Sequence, residues 1–282
     1  MLKKVISTVL LCAAILTLSG CELALFDPKG PVGEQAKTLI ITSVGLMMII
    51  IIPVLFMVIY FPYKYRKGNK NAEYKPDWEH STKIEIIVWL VPCLIVAALG
   101  VVTYLTSHSL DPRKSLGKAE DTLTIQVVAM DWKWLFIYPE QQIATVNEIA
   151  IPVNTPVEFL ITSDTVMNSF FIPRLGSQIY AMAGMENRLN LMASEEGVFR
   201  GMSANYSGFG FSGMKFKTHS VSQQGFDDWV NKVKRSPLVL NDKAYKILSK
   251  KTKDHAVQHF ADVDPLHFKK TIEKFTGEQN GQ

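Results

Sequence analysis

The apolar residues of this chain are bunched, and the bunching sets its architecture. A first run, Val5 to Leu18, follows Lys3 and Lys4. That is the charged and then apolar layout of an export signal. A second run, Leu39 to Phe61, carries no charge and is bracketed by Lys37 and by Lys64, Arg66 and Lys67. A helix of about 20 apolar residues crosses the hydrocarbon core of a bilayer. Pro53 inside the run is tolerable where neighbours satisfy the freed carbonyl. A third run extends from Ile86 to Leu105, with Glu85 at its start, Pro92 inside it and Asp111 beyond its end. The pattern predicts transmembrane helices over 38–62 and 85–106. The loop 63–84 between them holds Lys64, Arg66, Lys67, Lys70, Lys75 and Lys83, and short positive loops stay in the cytoplasm. Everything beyond Thr106 is then outside. Tyr60, Phe61, Tyr63, Tyr65 and Trp78 suit the aromatic belt of the interface. The charge asymmetry weighs against a buried soluble hairpin.

After a polar linker, Ser107 to Asp121, the period changes to two. Leu123, Ile125 and Val127 alternate with polar residues. Asp131 to Tyr138 forms an aromatic strand candidate closed by Pro139, and Ile149–Pro152 and Val157–Ile161 flank a turn at Asn154 and Pro156. Short strands punctuated by glycines predict an all-β sandwich or barrel over 107–224. From Gly225 the period is helical. Phe226, Trp229 and Val233 share a face, Asn241 caps a segment carrying Tyr245 and Leu248, and Asp264-Pro265 is a helix start. The lysines and glutamates after Phe260 predict a solvated tail, within a C-terminal helical arm over 225–282. The fold class is thus a membrane α-helical hairpin plus an all-β sandwich with C-terminal helices.

Composition adds two points. Net charge is +4 and aromatics are 10%, so no nucleic-acid footprint stands out. The three cysteines are Cys12, Cys21 and Cys93, so the outer part holds neither a disulfide nor a thiolate metal site. Leu18-Ser19-Gly20-Cys21 resembles the bacterial lipoprotein box. That predicts a signal peptide over 1–20, lipidation of Cys21 and a periplasmic segment over 21–37. His255 and His259, spaced i, i+4 on a possible helix, form a weak zinc pattern and are expected at the surface. Met182, Met185, Met192 and Met202 are irregularly spaced, which favours packing over Cu(I) binding. No nucleophile motif or phosphate-binding glycine loop is visible.

Two membrane helices followed by an external β domain resemble subunit II of the haem–copper oxidases, over residues 21–282. His80-Ser81-Thr82-Lys83-Ile84-Glu85, followed by Trp89 and Pro92, is similar to the family's segment entering its second helix. Asp131-Trp132-Lys133-Trp134 with Tyr138-Pro139 resembles the family's aromatic strand. The resemblance implies a cupredoxin-like outer domain. Members that oxidise cytochrome c hold a dinuclear copper centre there, on a histidine of one loop and two cysteines, a glutamate carbonyl, a histidine and a methionine of another. Here Asn168 stands at the first histidine, Ser203 and Ser207 at the cysteines, Asn205 at the glutamate and Phe211 at the second histidine. Only Met214 matches. Copper of this kind wants thiolate and imidazole, so these positions are vestigial and metal is expected nowhere in the chain.

The branch with this loss, the cytochrome bo-type ubiquinol oxidases, takes electrons from quinol and also has lipoprotein-processed second subunits. The resemblance therefore implies a subunit of a proton-pumping ubiquinol oxidase in the bacterial inner membrane. This chain would hold no cofactor; two haems and one copper would lie in subunit I, with ubiquinol as substrate. Its partners would be subunit I, subunits III and IV, ubiquinol and lipid, and not cytochrome c. Glu85 matches a carboxylate at the entrance of a proton channel into subunit I. From the residues alone the favoured reading is an interfacial carboxylate stabilised by a helix N-terminus; the proton role comes from the resemblance. Trp132 and Trp134 read as core and as contact with subunit I. Two other readings, a cytochrome c oxidase subunit with a rebuilt copper site and a free-standing cupredoxin-like lipoprotein, are disfavoured by the missing cysteines and by the polytopic anchor.

Overall fold

The computed structural model describes residues 24–69, 73 and 75–279; the export signal and Cys21 lie outside these. Helix α1 spans Pro31–Lys64 and helix α2 spans Thr82–Ser109. Both are long and apolar enough to cross a membrane, and both outrun the apolar runs behind them. Pro31 presets the first turn of α1, and Glu34 there complements the helix dipole. At the far end of α2 the hydroxyls of Thr106 and Ser107 donate back to the carbonyls of Val102 and Thr103, which carries the helix into polar sequence. Gly33 and Ile95 are the only residues these two helices bury. The hairpin therefore presents its apolar surface to lipid or to other helices.

Beyond α2 the chain forms a sandwich. One sheet has six strands in the order β12-β3-β2-β1-β5-β8; the other has five, β4-β10-β9-β6-β7. Their ranges are β1 Leu123–Met130, β2 Lys133–Tyr138, β3 Ile143–Val146, β4 Glu148–Pro152, β5 Val157–Ser163, β6 Asn168–Phe171, β7 Ile179–Ala181, β8 Asn187–Leu191, β9 Gly197–Ser203, β10 Lys215–Val221 and β12 Gln258–Phe260. Strands β1 and β5 run parallel, with Leu123 opposite Val157, and β10 and β4 do the same. Between the sheets Trp134, Phe136, Phe159, Phe170 and Phe216 interlock, with Phe170 and Phe216 stacked at 5.2 Å. Edge-to-face pairs such as Trp134–Phe170 add specificity to the burial.

The alternation read in the sequence breaks down in β2, where all six residues are buried. The C-terminal arm is the reason. After α3 (Gln223–Lys234), the arm runs through β11 (Val239–Leu240), α4 (Asp242–Leu248), β12, β13 (Asp262–Val263) and α5 (His267–Gln279). It lays Leu240, Leu248, Phe260, Val263 and Phe268 on the outer face of the six-stranded sheet, over Val128, Met130, Leu135 and Ile137. Ser222 and Asn241 cap α3 and α4, accepting from Gly225 N and Ala244 N. Two expectations are corrected here. The residues after Phe260 are not a solvated tail, because Phe268 and Thr271 of α5 are buried. His255 and His259 do not share a helix: His255 lies in a loop and His259 in β12. Neither is free at the surface, since His255 Nδ1 pairs with Thr252 and His259 Nε2 with Glu148.

Candidate functional site

Two loops at one end of the sandwich gather the positions singled out in the sequence. The first, between β5 and β6, delivers Asn168 at the start of β6. The second, between β9 and β10, runs from Ser203 to Met214. Ser203 Oγ donates to Asn168 Oδ1 at 3.1 Å, and both residues are buried. Asn168 Nδ2 donates to the Val166 carbonyl, and Asn205 Nδ2 to the Met167 carbonyl at 3.1 Å. The structure thus brings Asn168, Ser203 and Asn205 into one hydrogen-bonded set. Met214 is buried below, in the sandwich core, and Phe211 packs edge-to-face with Tyr206. Ser207 is apart from the set: its carbonyl accepts from Trp132 Nε1 at 3.0 Å, and its hydroxyl is buried without a partner among the described residues.

Trp132 is not part of the aromatic strand, which begins at Lys133. Its φ is 64°, a left-handed conformation uncommon for a residue with a side chain. The turn this makes seats the indole against Gly210, where a Cβ would overlap the ring. Sequence reasoning identified Trp132 but had no signal for this seat. Trp134 is fully buried, between Phe170 and Phe216. Around the indole the tip of the site is apolar and open: Tyr206 and Phe209 are 75% and 80% exposed, with Val166 and Met167 beside them in the first loop also exposed.

Hydroxyl, amide and phenyl groups make a poor copper ligand set, and Ser203 and Asn168 are already engaged with each other. The described residues also bring Asp242, Asp264 and His267 together. There Lys270 lies 3.5 Å and 2.7 Å from the two carboxylates, and His267 Nε2 donates to the Leu240 carbonyl. That cluster is an ion-pair network in which Lys270 bridges both carboxylates.

At the opposite extreme of the chain, Glu85 sits in the first turn of α2. Its Oε1 is 2.8 Å from His80 Nδ1, and both side chains are more than half exposed. Thr82 Oγ1 stands 3.4 Å from the other ring nitrogen of His80. The sequence motif that carried Glu85 thus becomes a short polar chain at the helix mouth.

The two long apolar helices and the attached sandwich define a two-sheet β domain on a candidate membrane hairpin. Residues 137–221 match the family described as cytochrome c oxidase subunit II, periplasmic domain, and residues 234–279 match the COX aromatic rich motif. Among curated proteins, the chain is 56% identical to cytochrome bo(3) ubiquinol oxidase subunit 2 of Pseudomonas aeruginosa, over 93% of this chain and 80% of that one. It is 55% identical to ubiquinol oxidase subunit 2 of Acetobacter aceti, over 93% and 86%. Among solved structures it is similar to the periplasmic domain of cytochrome oxidase subunit II of Bradyrhizobium japonicum, with 25% identity over 42% of this chain and 95% of that one, at a TM-score of 0.39. The chain belongs to the ubiquinol oxidase subunit 2 family, whose members are subunits of haem–copper oxidoreductases.

Proposed function

We propose that this chain is the copper-free second subunit of a proton-pumping quinol oxidase. The observation that carries the reading is the hydrogen bond between Ser203 and Asn168. It occupies the position where the subunit II resemblance calls for soft ligands, and among the described residues the aligned positions Asn168, Ser203, Ser207 and Phe211 offer no thiolate or imidazole. Electrons from cytochrome c would then have no stop on this chain. Quinol oxidation and oxygen reduction belong to subunit I, with its two haems and one copper, in an assembly that includes subunits III and IV. The open tip formed by Val166, Met167, Tyr206 and Phe209 docks on the outer face of subunit I, and the bare faces of α1 and α2 pack beside it in the inner membrane. The division into signal 1–20, outer segment 21–37, membrane hairpin 38–106, cupredoxin-like domain 107–224 and arm 225–282 belongs to this reading. So does a lipid on Cys21, which would add anchoring of about 0.8 kcal/mol per buried CH₂.

Glu85 has a narrower role, as the cytoplasmic mouth of a proton path into subunit I. A carboxylate at the end of a membrane helix is costly and marks function more often than not. The His80–Glu85 pair supports this, because a carboxylate and an imidazole in contact can pass a proton between them.

Oxygen uptake by the purified complex, with ubiquinol and reduced cytochrome c as alternative donors, tests the first reading. Uptake with quinol alone and a copper-free outer domain are expected; cytochrome c oxidation, or two coppers in the domain, would overturn it. Glu85→Gln tests the second. Turnover should fall about tenfold, a barrier increase of about 1.4 kcal/mol, with assembly and haem content unchanged. Unaltered turnover would leave Glu85 as an interfacial carboxylate.

A further inference from the structure

The arm does more than cover a sheet: it reaches both loops of the site. On α5, Lys274 places its Nζ 3.0 Å from Oδ1 of Asp164, a carboxylate only 3% exposed at the head of the first loop. Tyr245 of α4 approaches the same carboxylate. Burial first, and then the negative charge of Asp164, push its hydroxyl well above the usual tyrosine range. Further along, the segment between α4 and β12 reaches the second loop. Lys253 Nζ lies 5.2 Å over the Phe209 ring. Asp254, at a φ of 51°, packs its carboxylate on Gly213, where a Cβ would not fit. The loops are meanwhile joined to each other by Ser203–Asn168, by Asn205–Met167, and by Ala204 N donating to the Ser169 carbonyl at 3.0 Å. Each loop is therefore held in front by the other loop and behind by the arm.

We propose that the C-terminal arm is a brace that fixes the two loops, and that Lys274 and Asp254 are positioning residues for the docking tip they carry. The role of that tip rests on the reading above, in which it meets subunit I. Two loops fastened only by a few neutral hydrogen bonds would fluctuate, and that freedom would be lost on docking. Fixing them beforehand removes the cost. The Lys274–Asp164 pair is suited to the task because a buried carboxylate does not tolerate losing its partner. Lys253 stands over Phe209 on the arm side, so the partner surface should be apolar with carboxylates at that edge.

Hydrogen exchange on the purified complex tests the brace, reading residues 164–168 and 203–214 against strands β1 and β5. With Lys274→Ala, exchange in both loops should accelerate roughly tenfold while the two strands are unchanged, and Lys274→Arg should restore slow exchange. In parallel, Phe209→Ala and Tyr206→Ala should release this subunit from the haem-bearing subunit at lower salt, with exchange in β1 and β5 and in residues 164–165 unaltered. Should Lys274→Ala fail to accumulate, Lys274→Gln, which keeps most of the stem, is read in its place. Unchanged loop exchange in the lysine variants would overturn the brace. Faster exchange with undiminished retention and quinol turnover would leave the brace standing and remove the docking reading instead.

Discussion

The two faces of the six-stranded sheet are dry where β1, β2 and β3 meet, but they are dried by different means. The inner face meets the second sheet through interlocked aromatics, Trp134 and Phe136 from β2 of this sheet and Phe170 and Phe216 from β6 and β10 of the other. The outer face is covered by a segment that arrives roughly a hundred residues later in the chain. That cover combines aliphatic contacts with polar pins. Lys133 Nζ donates to the carbonyls of Leu248 and Lys250, Asn147 Nδ2 donates to the carbonyl of His255, and Glu148 holds His259. Packing alone suffices where both surfaces belong to one sandwich. A late-arriving cover has to be registered, and directional polar contacts register it. The inner face should therefore fail only globally, and the outer face by peeling.

The largest effect should come from the inner face. Phe170→Ala removes a ring that touches Trp134, Phe136, Phe159 and Phe216, and should cost about 3–5 kcal/mol. Denaturant unfolding of the purified chain in detergent checks it. A cost near that of an ordinary surface change would mean that the aromatics are loosely packed and the comparison is wrong.

Lys133→Met comes next. Lys133 is fully buried, and its loss leaves two carbonyls of the arm without donors, at about 2–3 kcal/mol. The loss should appear as faster exchange in 239–279 with the inner strands protected. Burial lowers the ammonium pKa against the opposing charge of Asp131. Between the lowered folded value and the ordinary value of about 10.4, the unfolded chain holds more protons, so stability should rise with pH across that window. A variant that unfolds the inner sheet as readily as the arm would show that the two faces are one cooperative unit.

The helix caps sharpen the same contrast at smaller amplitude. Ser222→Ala and Asn241→Ala each remove an N-cap acceptor and should cost about 1 kcal/mol. α3 packs Phe226, Val230 and Val233 into the inner cluster, whereas α4 packs Leu248 into the outer one. The first loss should lower the global transition, and the second should loosen only the arm. Equal effects on the global transition would argue against peeling.

The same division governs what could be read from the sequence. The membrane runs, the alternation in β1 and the faces of α3 depend on neighbours close in the chain, and their periodicity shows. Asn168 and Ser203 were singled out by resemblance, and the structure joins them. Full burial of β2, the strand at Gln258 and the packing of Phe268 depend on chain far away, and no local pattern encodes them. Trp132 was visible as a motif, while its left-handed turn and its seat on Gly210 were not. Pairing of His219 and His259 with one carboxylate had no signal at all, since the three residues are separated by 71 and 111 positions.

That carboxylate gives the smallest and most selective test. Glu148 Oε1 lies 3.0 Å from His219 Nε2, and Oε2 lies 2.8 Å from His259 Nε2. Burial raises its pKa, but the two histidines together outweigh burial and hold the carboxyl below the ordinary glutamate range. A depressed folded value means that the stabilisation is complete above about 4.3, the unfolded value, and is lost as pH falls through the lower folded one. His259 belongs to the arm, so exchange protection of β12 should drop across that acid interval. Glu148→Gln should weaken β12 at neutral pH by about 1 kcal/mol or less, the scale of a partly exposed pair, and should flatten the acid dependence. If the variant keeps the parental slope, other carboxylates carry the acid sensitivity, and the polar registration of the outer face rests on Lys133 and Asn147 alone.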